Sequence, residues 1–185
     1  MEHGWQGDRI RLVPLHRERH FENAWQWINS PVITEWLLAG DFPMTRLAES
    51  DWFDSVSHKS ESEIFFAIET LDGEHIGFSG IHRIEWRHGV ASTGSMIGRQ
   101  DLWGQGFGTE NVRVRTHYAF EVLGLRLLTT SYLEGNEASR KMQLRNGFVE
   151  VGRWPNRFWK RGAFRDEVLM ALTREQWREN ARNAD

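Results

Sequence analysis

Residues 103–109 read Trp-Gly-Gln-Gly-Phe-Gly-Thr, with three glycines at alternate positions between a stretch of strand character and one of helix character. Glycines spaced in this way strip side chains from the turn and permit positive φ, so that backbone N–H groups can converge on one point. At a helix N-terminus the first amides have no intrahelical partner and the helix dipole is positive, which suits the turn to an anion. The string alone also fits a tight turn with no ligand. Two other anion loops do not fit it. The spacing is not G-x-G-x-x-G, and the strands before it form a meander where a dinucleotide fold opens with a βαβ unit. No Gly-Lys-Ser or Gly-Lys-Thr follows, as a Walker loop requires.

Periodicity supplies the setting of this segment. Residues 9–15 alternate polar and apolar side chains and meet Pro14, which predicts a first strand near a sheet edge. Phe21, Trp25 and Ile28 recur at helical spacing within 18–28, and Asn29, Ser30 and Pro31 end that helix. Trp36, Leu37 and Leu38 close a short second helix, and residues 45–56, introduced by Pro43, form another. Residues 64–70 and 76–86 make a hairpin about Leu71, Asp72 and Gly73, and 90–99 is the next antiparallel strand after a turn at His88 and Gly89. A helix capped by Thr109 follows the glycines and ends at Gly124; strand 127–133 comes next. Asn136 caps a further helix that exits at Gly147, followed by strands at 148–151 and 164–172 and a polar helical tail from Thr173. The fold class is α+β: a mixed, mostly antiparallel sheet flanked by helices, with the glycine loop between the fourth strand and the helix after it.

The 185 residues suit one compact domain spanning 1–185, without an internal repeat or low-complexity linker. A net charge of -3 with 26% charged residues provides no uniform field for nucleic acid or acidic lipid, so small-molecule or peptide partners are expected. The absence of cysteine excludes a disulfide framework, a thiolate zinc site and an S-acyl enzyme. The first twenty residues carry Asp8, Arg9, Arg11, Arg17, Glu18 and Arg19 and lack an apolar signal core, and no later run approaches a membrane span; a cytoplasmic address is the expectation.

The ordered set of Arg9-Leu12-Pro14, Ile97-Gly98, W-G-Q-G-F-G-T-E at 103–110, N-E-A-S at 136–139, N-G-F at 146–148 and Arg165-Asp166-Glu167 with Met170 resembles the GNAT acetyltransferase superfamily. Within it, the chain is similar to the branch of RimJ- and RimL-type ribosomal-protein N-terminal acetyltransferases. The resemblance implies a GNAT-like sheet and an acetyl-CoA-dependent transfer of acetyl to a primary amine, with no metal. It implies a pyrophosphate site on Trp103, Gly104, Gln105, Gly106, Phe107, Gly108 and Thr109. The pantetheine arm would lie as a pseudo-strand along Met96, Ile97 and Gly98, with Asn136 on its other side. Ser139 would protonate the leaving thiolate. Trp103 stands where the superfamily often has Arg or Gln, and Gln143 stands where many relatives carry a tyrosine acid, so Ser139 is the expected acid. Asn136 also reads as a simple N-cap and Ser139 as a solvated first-turn residue.

Attack needs a neutral amine, which calls for a proton acceptor, since alkylammonium groups titrate near pH 10. Relatives in the branch often carry a carboxylate at the position of Ser92, and 90–99 contains no Asp or Glu. Glu85, brought beside the start of that strand by the hairpin, is the first candidate; His82, His117 and a water relay are alternatives, and Glu110 is assigned to the helix dipole or the loop. Trp25, Trp36, Trp154, Phe158 and Trp159 are candidate acceptor walls, and Glu35 and Asp41 could attract a cationic amine. Acceptors in view are a peptide N-terminus, a polyamine, an amino acid or an aminoglycoside, and the expected assembly is a homodimer. A rival reading is an acyl-CoA sensor or interaction module without catalysis.

Overall fold

The computed structural model describes residues 5–183. In chain order its elements are β1 (Trp5–Gln6), β2 (Ile10–Val13), α1 (Arg17–Ile28), α2 (Arg46–Ser57), β3 (Ile64–Thr70), β4 (His75–Glu85), β5 (Val90–Ile97), α3 (Phe107–His117), β6 (Leu127–Leu133), α4 (Glu137–Arg145), β7 (Val149–Lys160), β8 (Ala163–Thr173) and α5 (Arg174–Arg182). A short 3-10 turn at Gln100–Leu102 precedes α3, and a π-turn at Tyr118–Val122 continues it. The eight strands form one sheet in the order β1-β2-β3-β4-β5-β6-β8-β7. Every neighbouring pair is antiparallel except β5 with β6. This is the mixed, mostly antiparallel α+β arrangement expected from the pattern. Among the described residues no helix is long and apolar enough to cross a membrane.

Two apolar layers position the sheet. On one face Ile81, Ala91, Leu128, Val168 and Met170 pack beneath Val112 of α3 and Phe120 of the π-turn. On the other, Phe78 meets Phe21, Ala24 and Trp27 of α1 and Phe53 of α2. Strand side chains alternate between faces, and the register therefore decides which residues share the second face. Phe78 with Met96, Gly80 with Gly94, His82 with Ser92, and Ser92 with Thr129 are all direct pairs.

Several boundaries differ from expectation. Trp36, Leu37 and Leu38 lie in irregular turns: buried Thr34 closes on Ser30 through its N–H (3.0 Å) and Oγ1 (2.8 Å), and Gly40 leaves the segment at φ 78°. The loop helix begins at Phe107, with Gly106 at φ 90° as its cap, three residues before Thr109, the cap expected from the sequence. β7 runs on to Lys160 past residue 151; its exposure on both faces hides the alternation by which a strand is read. β1 covers the edge of β2 and makes β5 the fifth strand. α4 and α5 begin as their cap residues dictate: Asn136 Oδ1 accepts from Ser139 N–H at 3.0 Å, and Thr173 forms a capping box with Gln176.

Candidate functional site

β5 and β6 pair over only three rungs, Val90 with Leu127, Ala91 with Leu128 and Ser92 with Thr129, although they run on to Ile97 and Leu133. Beyond Ser92 the two strands part and leave a fork in the middle of the sheet. Main-chain groups alternate sides along a strand, and Ala91 O and Thr93 O point toward β6, accepting from Thr129 Oγ1 (3.3 Å) and Thr130 Oγ1 (3.0 Å). In step with them, Ile97 O also faces the fork, where it accepts from Trp103 Nε1 at 2.8 Å. Of the three residues expected to meet an extended arm, Ile97 presents its carbonyl there. Gly98 N–H donates to Ile76 O at 2.9 Å, and Met96 O lies against Gly77, so both turn toward β4. Strand alternation turns successive residues of β5 to opposite sides, so Met96 and Ile97 face differently.

The glycine loop closes the open end of the fork. Gly104 and Gly106 take φ of 76° and 90°, and a Cβ at Gly104 would meet nothing within 4 Å, so the turn is open to solvent at its crown. The first helical bond runs from Glu110 N–H to Gly106 O at 3.0 Å, which leaves the amides of Phe107, Gly108 and Thr109 without an intrahelical acceptor. Gln105 turns aside, its Nε2 donating to Asp101 O at 2.6 Å. Arg9 straps the loop from β2: Nη1 donates to Gln105 O at 3.0 Å, its guanidinium lies 4.5 Å over the Phe107 ring, and Nε meets Glu110 Oε2 at 3.0 Å. Glu110 also accepts from the Arg9 main-chain N–H at 2.7 Å, and its side chain is only 5% exposed. Its assignment to loop structure agrees with this geometry. The clamp spans 101 positions of sequence, and nothing local in the sequence announced it.

α4 forms the opposite wall. Asn146 Nδ2 donates to Thr109 O at 3.1 Å and a Cβ at Gly108 would sit 2.9 Å from Met142 Sδ, so α4 is joined to the loop at its exit. Asn136 uses its Oδ1 as the N-cap, leaving its amide nitrogen for any ligand, and half-buried Ser139 stands in the first turn. Gln143 is buried with Oε1 unpaired among the described residues. Behind β5, Arg115 of α3 is fully buried and donates from Nη1 to Gly94 O (2.6 Å) and Ser79 Oγ (3.2 Å), with Nε and Nη2 unpaired among the described residues. Burial lowers its pKa to about 9, so it stays charged at neutral pH.

On the second face, His82 stands opposite Ser92 at the last rung before the fork, and Glu85 stands opposite Val90, exposed and two residues back on the paired side. Ser92 Oγ donates to His82 O and accepts from Arg83 Nε, both at 3.2 Å. His117 faces Trp177, at 5.9 Å between rings, away from the fork. Across the gap, Glu167 of β8 accepts from Ser131 Oγ at 2.7 Å. The loop after α1 roofs this side: buried Lys160 donates to Asp41 Oδ1 (2.7 Å) and Ala39 O (3.1 Å), and Trp36 packs over Gly135, beside Asn136. Asp41 is thus paired with lysine. Trp25 donates to Met44 O at 3.0 Å, Arg157 lies between Trp154 and Phe158, and Trp159 meets Phe164 edge to face, out in solvent.

The pieces suit a ligand with an anionic end and a long amide-bearing arm. The free amides of residues 107–109 and the Arg9 guanidinium offer anion contacts, while Ile97 O and the unpaired Gln143 Oε1 offer acceptors for amide N–H groups. Among the described residues no cluster of three or more His, Asp or Glu is placed to hold a metal.

Residues 9–149 match the family model described as "Acetyltransferase (GNAT) domain". The chain is 30% identical over 106 residues to the Bacillus subtilis protein named "Putative ribosomal N-acetyltransferase YdaF", an overlap of 57% of each chain, so it spans little more than half of that relative's length. In three dimensions it resembles the spermidine N-acetyltransferase of Vibrio cholerae solved with CoA and spermine, with TM-score 0.84 and 19% identity over 92% of this chain and 99% of the other. It also resembles Mycobacterium smegmatis RimJ solved with CoA-disulfide, with TM-score 0.77 and 20% identity over 90% of this chain and 83% of that one.

Proposed function

The chain belongs to the GNAT acetyltransferase family, and we propose on that footing that it moves an acetyl group from acetyl-CoA to a primary amine by direct attack in a ternary complex. The observation that carries this reading is the fork between β5 and β6, closed at its open end by the glycine loop. The donor's pyrophosphate sits on the amides of Phe107, Gly108 and Thr109 with Arg9 beside it. Its pantetheine arm extends along Ile97, and the thioester comes to the point where the strands part. Ser139 protonates the departing sulfur. The acceptor enters over the second face, beneath the roof held by Lys160, and is a peptide N-terminus or a small amine. A cytoplasmic location and a homodimer belong to the same proposal. Edge strand β7, with Val149, Val151, Trp154 and Trp159 exposed, supports the dimer.

The test is acetylation of spermidine and of peptides beginning with alanine or serine, followed by release of free CoA and by product mass. Transfer to one of them supports the proposal. Binding of acetyl-CoA in a calorimeter without any transfer would favour a sensor, and no binding at all would exclude both.

A further inference from the structure

His82 stands on the second face opposite Ser92, at the last rung before β5 and β6 part. Gly80 and Gly94 are direct cross-strand partners on the second face, and together they leave a strip of sheet without side chains. The imidazole lies along this strip. A Cβ at Gly80 would clash with Cε1 and Nε2, and a Cβ at Gly94 would sit 3.6 Å from Nε2. Gly94 is the second residue past the last β5–β6 rung, so Nε2, lying between the Gly80 and Gly94 positions, sits on the sheet beside the start of the fork. The Phe65 ring, 4.8 Å away and itself packed on Trp52, walls the imidazole on its β3 side. Among the described residues neither ring nitrogen has a hydrogen-bond partner, in contrast to His20 and His75, which are both bonded through two nitrogens. The hydroxyl of Ser92 is already engaged by His82 O and Arg83, and exposed Glu85 is ~7 Å back along the paired strands.

We propose that His82 is the general base, a catalytic residue that takes the proton from the attacking amine; this rests on the acetyltransferase reading above. The amine nitrogen forms a bond to the acetyl carbon and the carbon–sulfur bond breaks, its electron pair passing to sulfur. The amine proton moves to His82 Nε2 and the sulfur takes a proton from Ser139, after which both side chains recover their protonation states from solvent. A base must be neutral to act. Burial holds His82 below 6.5, assisted by Arg115 from α3 and Arg83 beside it and opposed by Glu63 ahead of β3. The acid limb of kcat/KM therefore falls below pH 6.5.

The experiment compares wild type, His82→Gln and His82→Ala on spermidine and on the alanine- and serine-initiated peptides, with a ring-nitrogen NMR titration of His82 in the wild type with and without CoA. His82→Gln is expected to lose about 100-fold or more in kcat and to lose the acid limb, with acetyl-CoA affinity unchanged. Added imidazole restores part of the turnover of His82→Ala, and CoA shifts the His82 ring resonances. Should these variants not fold, Gly80→Ala decides, because its methyl displaces the imidazole: a drop in kcat of about tenfold or more, with the same acetyl-CoA affinity, is expected. An active wild type beside a His82→Gln enzyme with full turnover and an unmoved acid limb overturns His82 alone. A Gly80→Ala enzyme with wild-type kinetics does the same. A wild type that binds acetyl-CoA and acetylates none of the three overturns this inference and the proposed function together.

Discussion

The indole nitrogen of Trp103 donates to the carbonyl oxygen of Ile97 at 2.8 Å, closing the mouth of the fork with the first residue of the glycine loop. An arm that pairs along β5 competes for that carbonyl, so the indole must leave as the donor enters. Trp103→Phe removes the competing bond, whose net worth is about 0.5–1.5 kcal/mol. Calorimetry should then record acetyl-CoA binding about 2- to 10-fold tighter. Weaker binding would mean that the indole stays and packs on the donor.

Glu110 bonds both the main chain and the guanidinium of Arg9 from a nearly buried position. Glu110→Ala orphans that N–H and releases the strap, at a cost of about 1.5–3 kcal/mol in urea unfolding. Because Arg9 also holds Gln105 O, acetyl-CoA affinity should fall in the same variant. A stable protein with unchanged affinity would remove the clamp from the account.

At Gly106, φ is 90° and a Cβ would lie 3.2 Å from Arg9 Nη2, whereas Gly104, at φ 76°, has open space around it. Alanine at either position carries about 1–2 kcal/mol of backbone strain. Gly106→Ala should weaken acetyl-CoA binding more than Gly104→Ala, since only the first also displaces Arg9. Equal dissociation constants would contradict this.

Ser139→Ala keeps the main-chain N–H that Asn136 accepts and removes only the hydroxyl. Turnover should fall by about 100-fold with little change in acetyl-CoA affinity. Unaltered kcat would leave Ser139 as an ordinary first-turn residue.

A buried cluster beneath α1 makes the fold acid-sensitive. His75 is lowered from 6.5 to about 3 by burial and then by nearby His20, and burial lowers His20 as well. Both histidines stay neutral in the folded protein while the unfolded chain takes up protons, so stability is complete above pH 6.5 and falls as pH drops toward 3. Each contributes about 1.4 kcal/mol per pH unit in its window. Glu69 is buried, yet its bonds from His20, Arg11 and the nearby Arg19 guanidinium hold it below 4.5, adding a loss as pH falls below 4.5. His75→Gln should flatten the fall in unfolding free energy between pH 6 and 4; an unchanged slope would show that His75 is not its source.

The elements around the site were legible wherever a short-range rule decides them. Gly104 and Gly106 announce a turn with positive φ, Asn136 announces a cap, and the hairpin residues His88 and Gly89 put β4 beside β5. The end of β7 was not legible, because a strand exposed on both faces shows no alternation. Nor was the loop at Trp36, which is held from outside by Lys160, 119 positions from its partner Asp41.

By itself the sequence determined the order of most elements, the glycine turn at the head of a helix and the family, since each depends on residues a few positions apart. The tertiary structure decided that β5 and β6 part after Ser92, that the Ile97 carbonyl faces the fork, that Arg9 straps the loop, and that His82 stands opposite Ser92 while Glu85 stands opposite Val90. These depend on register and on where a pairing stops. Both are set by the balance of packing across the whole sheet, and a one-residue slip would turn every one of these groups to the other face.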